Sequence, residues 1–286
     1  MKVIRASVLG YCMGVRRAVE AAEKSLHENE LLHKKIFTLG PLIHNPTVLS
    51  NLEDRGLKVL TKDTLSLADS SSVVIIRAHG TTPSVMAQLE QACVQIVDAT
   101  CPRVHLSQKR AAEWSSKGYA VIIAGDRNHG EVTSIIGFAE VNSVPTFVVQ
   151  NVDDACNLSV PEKCVLIAQT TFSPEEFDKI TKLLQSKNDK IVVFNSICSA
   201  TLERQNALKN MAGHVDGILV IGGRNSANTR RLYDTASARC HAALIENETQ
   251  IPQEFYAMNT VGITAGASTP DEVIEKTEHK LLLGKN

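Results

Sequence analysis

Short apolar runs, rich in β-branched residues and ending near Gly, Ser, Asn or His, recur twelve times along this chain. Runs of this kind are typical of strands that are buried on both faces of a parallel sheet. Several of the segments between them carry apolar residues at helical spacing. The alternation predicts an α/β protein with parallel sheets. The runs are KVIRASVL, KKIFTLG, LKVLT, SVVIIRAHG, VQIVDATC, YAVIIAGD, PTFVVQN, KCVLIAQTT, KIVVFNSIC, GILVIGGRNS, AALIE and TVGITAGAS.

Four dipeptides predict helix starts, because Pro favours the first helical position and Ser, Thr or Asn the position before it. Glu176 stands three residues after Ser173, which predicts a capping box at one of them. Phe177, Ile180 and Leu184 then predict the buried face of the same helix. The dipeptides are Asn45-Pro46, Thr82-Pro83, Ser173-Pro174 and Thr269-Pro270.

Three segments repeat one pattern: an apolar strand, a cysteine near its end, and a helix with early Arg or Lys residues. Cys12 and Cys101 are 89 residues apart, and Cys101 and Cys198 are 97 apart. The spacing predicts three similar four-stranded lobes in a pseudo-threefold arrangement around a central site. We expect the first strand of the chain to join the last lobe. The predicted lobes are residues 15–101, residues 102–198, and residues 199–286 together with 1–14.

The three repeated cysteines are predicted at the carboxyl ends of strands, where sites in parallel sheets lie. A single buried cysteine is more often a small core residue, but three at matching positions favour a metal site. Three thiolates can hold a zinc ion or three irons of a four-iron cluster, and the chain has no CxxC to decide between them. The other cysteines are assigned to packing or to no role: Cys156, Cys164, Cys240, and Cys93, which is predicted on an apolar helix face with Met86 and Leu89.

The turns that follow the other strands are rich in His, Ser, Thr and Asn. Such turns at helix N-termini bind phosphate through free N–H groups and the helix dipole, although any single Ser, Thr or Asn there is as readily a plain helix cap. Several converging turns would suit a diphosphate. Glu131 is the best proton donor, because burial can keep a carboxyl protonated near neutral pH, although a solvated glutamate is the competing interpretation. The turn residues are His44, His79, His129, Glu131, Thr170, Thr171, Ser226, Asn228 and Ser268.

Composition and motifs exclude several classes of function. A formal net charge of -1 argues against a broad nucleic-acid surface. No apolar run reaches membrane-spanning length and no secretory pattern is seen at the N-terminus, so a cytoplasmic protein without a membrane span is expected. The chain carries no GxGxxG after a strand, no GxxxxGK[ST] and no HExxH. A reductase built this way would take its electrons from a source other than a bound nicotinamide.

Nine ordered motifs resemble the LytB/IspH family, the 4-hydroxy-3-methylbut-2-enyl diphosphate reductases. They span nearly the whole chain and are GYCMGVRRAV, GPLIHNP, RAHG, DATCP, NHGEV, QTT, SICSAT, GGRNSANTRRL and TAGAS. The resemblance implies a three-lobed α/β fold and the last step of the methylerythritol phosphate route to isoprenoids. That reaction removes a hydroxyl group with two electrons and two protons, giving isopentenyl and dimethylallyl diphosphates.

The resemblance also implies a site. One [4Fe-4S] cluster with an open iron position would be held by Cys12, Cys101 and Cys198. Electrons would come from a ferredoxin or flavodoxin, and the chain would be a monomer or homodimer. The implied catalytic residues are Glu131, Thr170 and His129. The implied substrate-binding residues are His44, His79, His129, Thr170, Ser226, Asn228 and Ser268.

Two positions depart from the family pattern. Gly130 stands where the family usually has a proline between the site histidine and glutamate, which predicts a looser loop before Glu131. Ala227 follows Ser226 where the family often has a second serine, so one hydroxyl contact to phosphate is lost or replaced by backbone. Two other functions stay open at this point: a zinc hydrolase of phosphorylated compounds and a non-catalytic phospholigand-binding protein.

Overall fold

The computed structural model describes residues 1–32, 34–43 and 45–284. His44, one of the predicted substrate-binding residues, lies outside the described residues. Each of the twelve apolar runs overlaps a strand. The strands are β1 (Lys2–Arg5), β2 (Lys35–Leu39), β3 (Leu57–Leu60), β4 (Ser72–Ile76), β5 (Gln95–Asp98), β6 (Ala120–Ala124), β7 (Thr146–Val149), β8 (Cys164–Ala168), β9 (Val192–Phe194), β10 (Gly217–Ile221), β11 (His241–Ile245) and β12 (Thr260–Ala265).

Ten α-helices alternate with the strands in the described part of the chain. None of them is long and apolar enough to cross a membrane. The helices are α1 (Met13–Leu32), α2 (Pro46–Asp54), α3 (Pro83–Gln91), α4 (Pro102–Ser116), α5 (Gly130–Glu140), α6 (Val152–Asn157), α7 (Pro174–Lys187), α8 (Ser199–Ala212), α9 (Ala227–Ser237) and α10 (Asp271–Leu283).

The strands form three separate four-stranded sheets, and every described pairing within them is parallel. The strand orders are β3-β2-β4-β5, β7-β6-β8-β9 and β1-β12-β10-β11. All five residues of β4, β6, β8 and β10 are buried. Interior strands of parallel sheets are covered on both faces, which explains why these runs are continuously apolar. The predicted parallel α/β fold is confirmed.

The core of the second sheet shows how the strands and helices hold together. Val121 and Ile123 of β6 and Val165 of β8 pack against Val132 and Ile135 of α5, and all five are fully buried. Burial of one such side chain contributes about 1.5–3 kcal/mol relative to exposure. This packing holds α5, whose first turn carries Glu131, against the sheet.

The described residues divide into two compact units. Unit 1 comprises those of Met1–Arg16, Ile43–Asp54 and Ser199–Asn286, and unit 2 those of Arg17–Leu42 and Arg55–Cys198. Unit 1 contains the sheet in which β1 pairs with β12, so the first strand shares a sheet with strands of the last third. Unit 2 contains the other two sheets. The lobe boundaries at residues 101 and 198 stay a prediction.

Three of the four predicted helix starts are found, with Asn45, Thr82 and Ser173 as caps. Their side chains accept the N–H groups of Val48, Val85 and Glu176, respectively. The fourth helix, α10, begins one residue later than predicted, at Asp271.

Of the two hydrogen bonds in the predicted capping box at Ser173, the structure has the one to the Ser173 side chain, and the prediction for the Glu176 side chain is wrong. Ser173 Oγ accepts the N–H of Glu176 at 3.3 Å, as expected. Glu176 Oε1, however, accepts the N–H of Val152 at 2.9 Å, which belongs to the neighbouring helix α6. A tertiary contact therefore takes the carboxylate that the local pattern assigned to the helix start.

Candidate active site

The three repeated cysteines share one local geometry. Each is the residue immediately before a helix, so that α1, α4 and α8 begin directly after Cys12, Cys101 and Cys198. All three side chains are partly buried, and the N–H of Val15 points at Cys12 Sγ at 3.5 Å. Metals bind cysteine as the thiolate. This donor set fits an iron–sulfur cluster chemically.

Backbone hydrogen bonds in unit 2 place two of these cysteines beside the polar turns. The N–H of Cys101 donates to Ala78 O at 3.0 Å, next to His79. The N–H of Cys198 donates to Thr170 O at 2.8 Å. Within unit 2, backbone hydrogen bonds therefore join Cys101 to the residue before His79, and Cys198 to Thr170.

The other four cysteines differ from these three, and all seven lie outside disulfide bonds. Cys93 and Cys156 are exposed. Burial raises the pKa of Cys164 and the pKa of Cys240. A thiol with a raised pKa is less readily ionised, so these two are poorer metal ligands.

The predicted position of Cys93 on an apolar helix face is wrong. Helix α3 ends at Gln91, and Cys93 follows it with a φ of 54°. The N–H of Cys93 donates to Glu90 O and that of Val94 to Leu89 O, which is the Schellman arrangement of a helix C-terminus. The helical spacing of apolar residues in the sequence extends two residues past Gln91, where the helix ends.

Glu131 and Thr170 form a buried pair in unit 2. Thr170 Oγ1 donates to Glu131 Oε2 at 2.8 Å, and the Thr170 N–H donates to Oε1 at 2.7 Å. Glu131 is 1% exposed and Thr170 is 7% exposed, which excludes the solvated glutamate considered from sequence. A carboxyl and a hydroxyl joined in this way form a path along which a proton can move.

His129 stands at the N-terminus of α5 and contacts a second histidine. Its Nδ1 accepts the N–H of Glu131 at 3.2 Å, so this nitrogen is unprotonated and Nε2 is left to carry the proton. The rings of His79 and His129 lie edge to face with centroids 4.7 Å apart. Two imidazoles at this separation can both contact one phosphate group.

Gln169 was missed in the sequence, although it begins the QTT motif. Its side chain is fully buried. Oε1 accepts the N–H of Asp126 at 2.8 Å, and Nε2 donates to Thr171 Oγ1 at 3.0 Å. Gln169 thus ties the turn before His129 to the turn that carries Thr170. A second missed residue, Arg77, lies against Gly130 and is treated below.

Unit 1 carries the remaining predicted phosphate contacts. Ser226 caps α9 and accepts the N–H of Thr229 at 3.4 Å, so it does serve as a helix cap. Asn228 and Ser268 are 4% and 6% exposed. Asn228 Nδ2 and Ser268 Oγ have no hydrogen-bond partner among the described residues. A missing partner of this kind is supplied by a water molecule, an ion or a ligand.

The predicted site residues therefore fall into two sets. Unit 2 brings together His79, His129, Glu131 and Thr170 with two of the cysteines, and unit 1 holds Cys12 with Ser226, Asn228 and Ser268. Within residues 1–32, 34–43 and 45–284, no three His, Cys, Asp or Glu side chains form a ready metal-binding group. The three-cysteine cluster site accordingly stays a prediction.

With three four-stranded parallel sheets and with cysteines and polar turns at strand ends, the chain is a three-sheet α/β protein. Residues 3–282 match the family model described as LytB protein. The chain is 44% identical to 4-hydroxy-3-methylbut-2-enyl diphosphate reductase of Treponema denticola, covering 99% of this chain and 100% of the relative. It is 41% identical to the enzyme of the same name from Treponema pallidum, covering 99% and 84%. The chain belongs to the LytB family.

Two solved structures are similar to this one. A structure of (E)-4-hydroxy-3-methyl-but-2-enyl diphosphate reductase, the terminal enzyme of the non-mevalonate pathway, is 34% identical with a TM-score of 0.73 and covers 99% of this chain and 100% of that one. The reductase of Plasmodium falciparum is 28% identical with a TM-score of 0.88, covering 99% and 87%. The three-sheet architecture is shared with both.

Proposed function

We propose that this chain is a 4-hydroxy-3-methylbut-2-enyl diphosphate reductase, which makes isopentenyl and dimethylallyl diphosphates. Relatives of that name align with it over 99% of its length. The observation that carries the proposal is the buried Glu131–Thr170 pair beside the edge-to-face pair of His79 and His129. It combines proton donation with anion binding at the ends of parallel strands, where this reaction needs both.

The reaction breaks the bond between carbon and the substrate's hydroxyl group. Two electrons and two protons enter: one proton leaves with the hydroxyl as water, and the other adds to the allylic carbon skeleton. One [4Fe-4S] cluster held by Cys12, Cys101 and Cys198 would supply the electrons and a Lewis-acidic iron for the oxygen. The chain's own residues then have to bind the diphosphate and deliver the protons.

The side chains divide these tasks by chemistry. His79 and His129 bind the diphosphate in unit 2, and Asn228 and Ser268 donate to it with their unpartnered groups. Glu131 holds the proton that goes to the leaving hydroxyl. Thr170 orients that carboxyl and contacts the substrate hydroxyl through its own oxygen.

The remaining parts of the proposal concern partners. No GxGxxG follows a strand in this chain, so electrons come from a separate one-electron carrier such as a ferredoxin or flavodoxin, in the cytoplasm. Neither nucleic acid nor a membrane takes part.

Iron and acid-labile sulfide analysis of anaerobically purified protein tests the proposal. We expect about four of each per chain, a brown colour, and turnover of the allylic diphosphate with a reduced carrier. Cys101→Ser should lower the iron content and abolish turnover. Cys156→Ser is the matched control, because Cys156 is exposed and has no predicted role, and it should keep both.

A colourless protein with one bound zinc would support the zinc hydrolase. Phosphate-ligand binding that survives Cys101→Ser in a colourless, inactive protein would support the binding protein.

A further inference from the structure

Arg77 has an unusual environment in unit 2. It follows β4 directly, and its Nη1 donates to Pro41 O at 3.3 Å. Burial lowers the pKa of Arg77, yet the guanidinium remains charged at neutral pH. No carboxylate among the described residues pairs with it. Arg77 is partly buried, and even partial desolvation of a cation without a carboxylate partner costs free energy.

Two glycines make the space that Arg77 occupies. A Cβ added to Gly40 would lie 3.1 Å from Arg77 Cζ. A Cβ added to Gly130 would lie 3.2 Å from the same carbon and would overlap Nη2. The guanidinium therefore lies between the turn of Gly40 and Pro41 and the first residue of α5. It also lines a cavity of about 360 Å³ together with Lys62, Asn128 and Thr133.

The backbone at Gly130 does not itself require glycine. Gly130 is the first residue of α5 and is not among the glycines with positive φ. Proline is favoured at the first helical position, and it needs an extended residue before it. His129 is extended, with φ −84° and ψ 137°. The conformation would accept the proline that the resemblance leads one to expect, so the obstacle is the Arg77 side chain. Arg77 packs against the turn at Gly130, and the looser loop stays a prediction.

We propose that Arg77 is a positioning residue for the turn that carries His129 and Glu131, and that glycine at position 130 leaves room for the Arg77 guanidinium in its present place. The inference rests on the proposed function for the meaning of that turn. Its physical basis is the contact itself. Any shift of Gly130 moves His129 on one side and Glu131 on the other, and these two residues share a hydrogen bond.

A double-mutant cycle tests the pair. Four proteins are compared after iron content has been matched: the parent, Gly130→Pro, Arg77→Ser, and the double variant. Gly130→Pro alone should lower the melting temperature by on the order of 5 °C, because proline overlaps the guanidinium. In the Arg77→Ser background the same change should leave the melting temperature unchanged or raise it. Gly213→Ala is the control, since a Cβ there meets nothing within 4 Å, and its effect should be the same in both backgrounds.

Binding of inorganic pyrophosphate, measured by calorimetry, separates positioning from mere folding. Loss of folded protein lowers the number of sites but leaves the Kd unchanged, whereas a displaced His129 raises the Kd. We expect Gly130→Pro to weaken binding about tenfold in the parent and less than about twofold in the Arg77→Ser background. Equal effects in both backgrounds, on melting temperature and on Kd, would overturn the pairing. Failure of all four proteins to reduce the allylic diphosphate would instead overturn the proposed function, and the cycle would still decide the pairing.

Discussion

Two pairs of predicted site residues, His129 with Glu131 in unit 2 and Asn228 with Ser268 in unit 1, differ in their hydrogen bonding. In unit 2 both oxygens of Glu131 accept hydrogen bonds from Thr170, and His129 accepts the N–H of Glu131. In unit 1 the buried groups Asn228 Nδ2 and Ser268 Oγ have no partner within the described residues. In our proposal, Glu131 and His129 are thus held in place before substrate arrives, whereas Asn228 and Ser268 gain hydrogen bonds from the ligand.

This difference separates two kinds of energetic effect. An unsatisfied buried donor costs about 1–3 kcal/mol, which binding of an anion can recover. Removing such a donor should therefore weaken affinity and spare the stability of the ligand-free protein. Removing a member of the unit 2 pair should instead lower the turnover rate, the stability, or both.

The largest effect is expected from Glu131→Gln. The amide keeps the size of the side chain and still accepts the Thr170 N–H, but it cannot give up a proton as the acid does. We expect kcat to fall by about 10²–10⁴, a range typical of a lost proton donor. Iron content and pyrophosphate affinity should stay at parent values. The measurement is steady-state turnover with a reduced carrier.

Glu176→Gln is the matched control for this change. Glu176 also lies in the first turn of a helix and accepts a backbone N–H, that of Val152, but it is outside the predicted site. Its kcat should match the parent. Unchanged turnover in Glu131→Gln, or an equal loss in both variants, would remove Glu131 from the proton-donor role.

Thr170→Val is expected to have the next largest effect. Valine has nearly the same shape, so the change removes the hydroxyl and leaves Glu131 Oε2 buried without that donor. The free energy of unfolding should fall by about 1–3 kcal/mol and kcat by about ten- to a hundredfold. Urea unfolding of the ligand-free protein and turnover assays check the two expectations.

A buried threonine outside the site shows whether these losses belong together. Thr277 is fully buried, and its Oγ1 donates to Val273 O at 2.8 Å in α10. Thr277→Val should lower stability slightly while kcat stays unchanged. If Thr170→Val changes kcat as little as Thr277→Val does, the Glu131–Thr170 pair has a structural role only.

The strands could be predicted from the sequence, because strand identity depends on local apolar runs. β6 and β8 are buried throughout, so their sequences need no alternation to mark them. Glu131 and Thr170 were predicted separately from their turns. Their pairing required two neighbouring strands to end at the same edge of one sheet, and β6 and β8 are such neighbours.

Other features depend on contacts that no local pattern contains. Glu176 bonds to Val152, 24 residues away, in place of its own helix start. Arg77 is one residue beyond a strand, and its sequence position is typical of an ordinary surface cation. Its contacts with Gly40 and Gly130 are seen only in the structure. The missing partners of Asn228 and Ser268 were also invisible, because absence of a hydrogen bond is a property of the folded surroundings.

Asn228→Ala tests the unit 1 side of the comparison. The amide donates to the diphosphate in our proposal, and a hydrogen bond to a charged group is worth about 1.5 kcal/mol, or roughly tenfold in affinity. We expect the Kd for inorganic pyrophosphate to rise by that factor and kcat to change little. Stability of the ligand-free protein should stay the same or increase, since a buried unpaired donor is removed. A marked loss of stability would mean that Asn228 is structural.

Ser268→Ala is expected to have the smallest effect, because a single rotatable hydroxyl contributes less than an amide fixed in a helix. The Kd for pyrophosphate should rise about threefold, and the free energy of unfolding of the ligand-free protein should be unchanged. Ser173→Ala is the control: its Oγ accepts the N–H of Glu176, so its loss should lower stability by about 1 kcal/mol and leave the Kd unaltered. The two serines should therefore give opposite results in the same two measurements. If Ser268→Ala lowers stability and leaves the Kd unchanged, as expected for Ser173→Ala, the Ser268 hydroxyl is hydrogen-bonded within the protein. Of the two unit 1 donors, Asn228 alone would then be assigned to ligand binding.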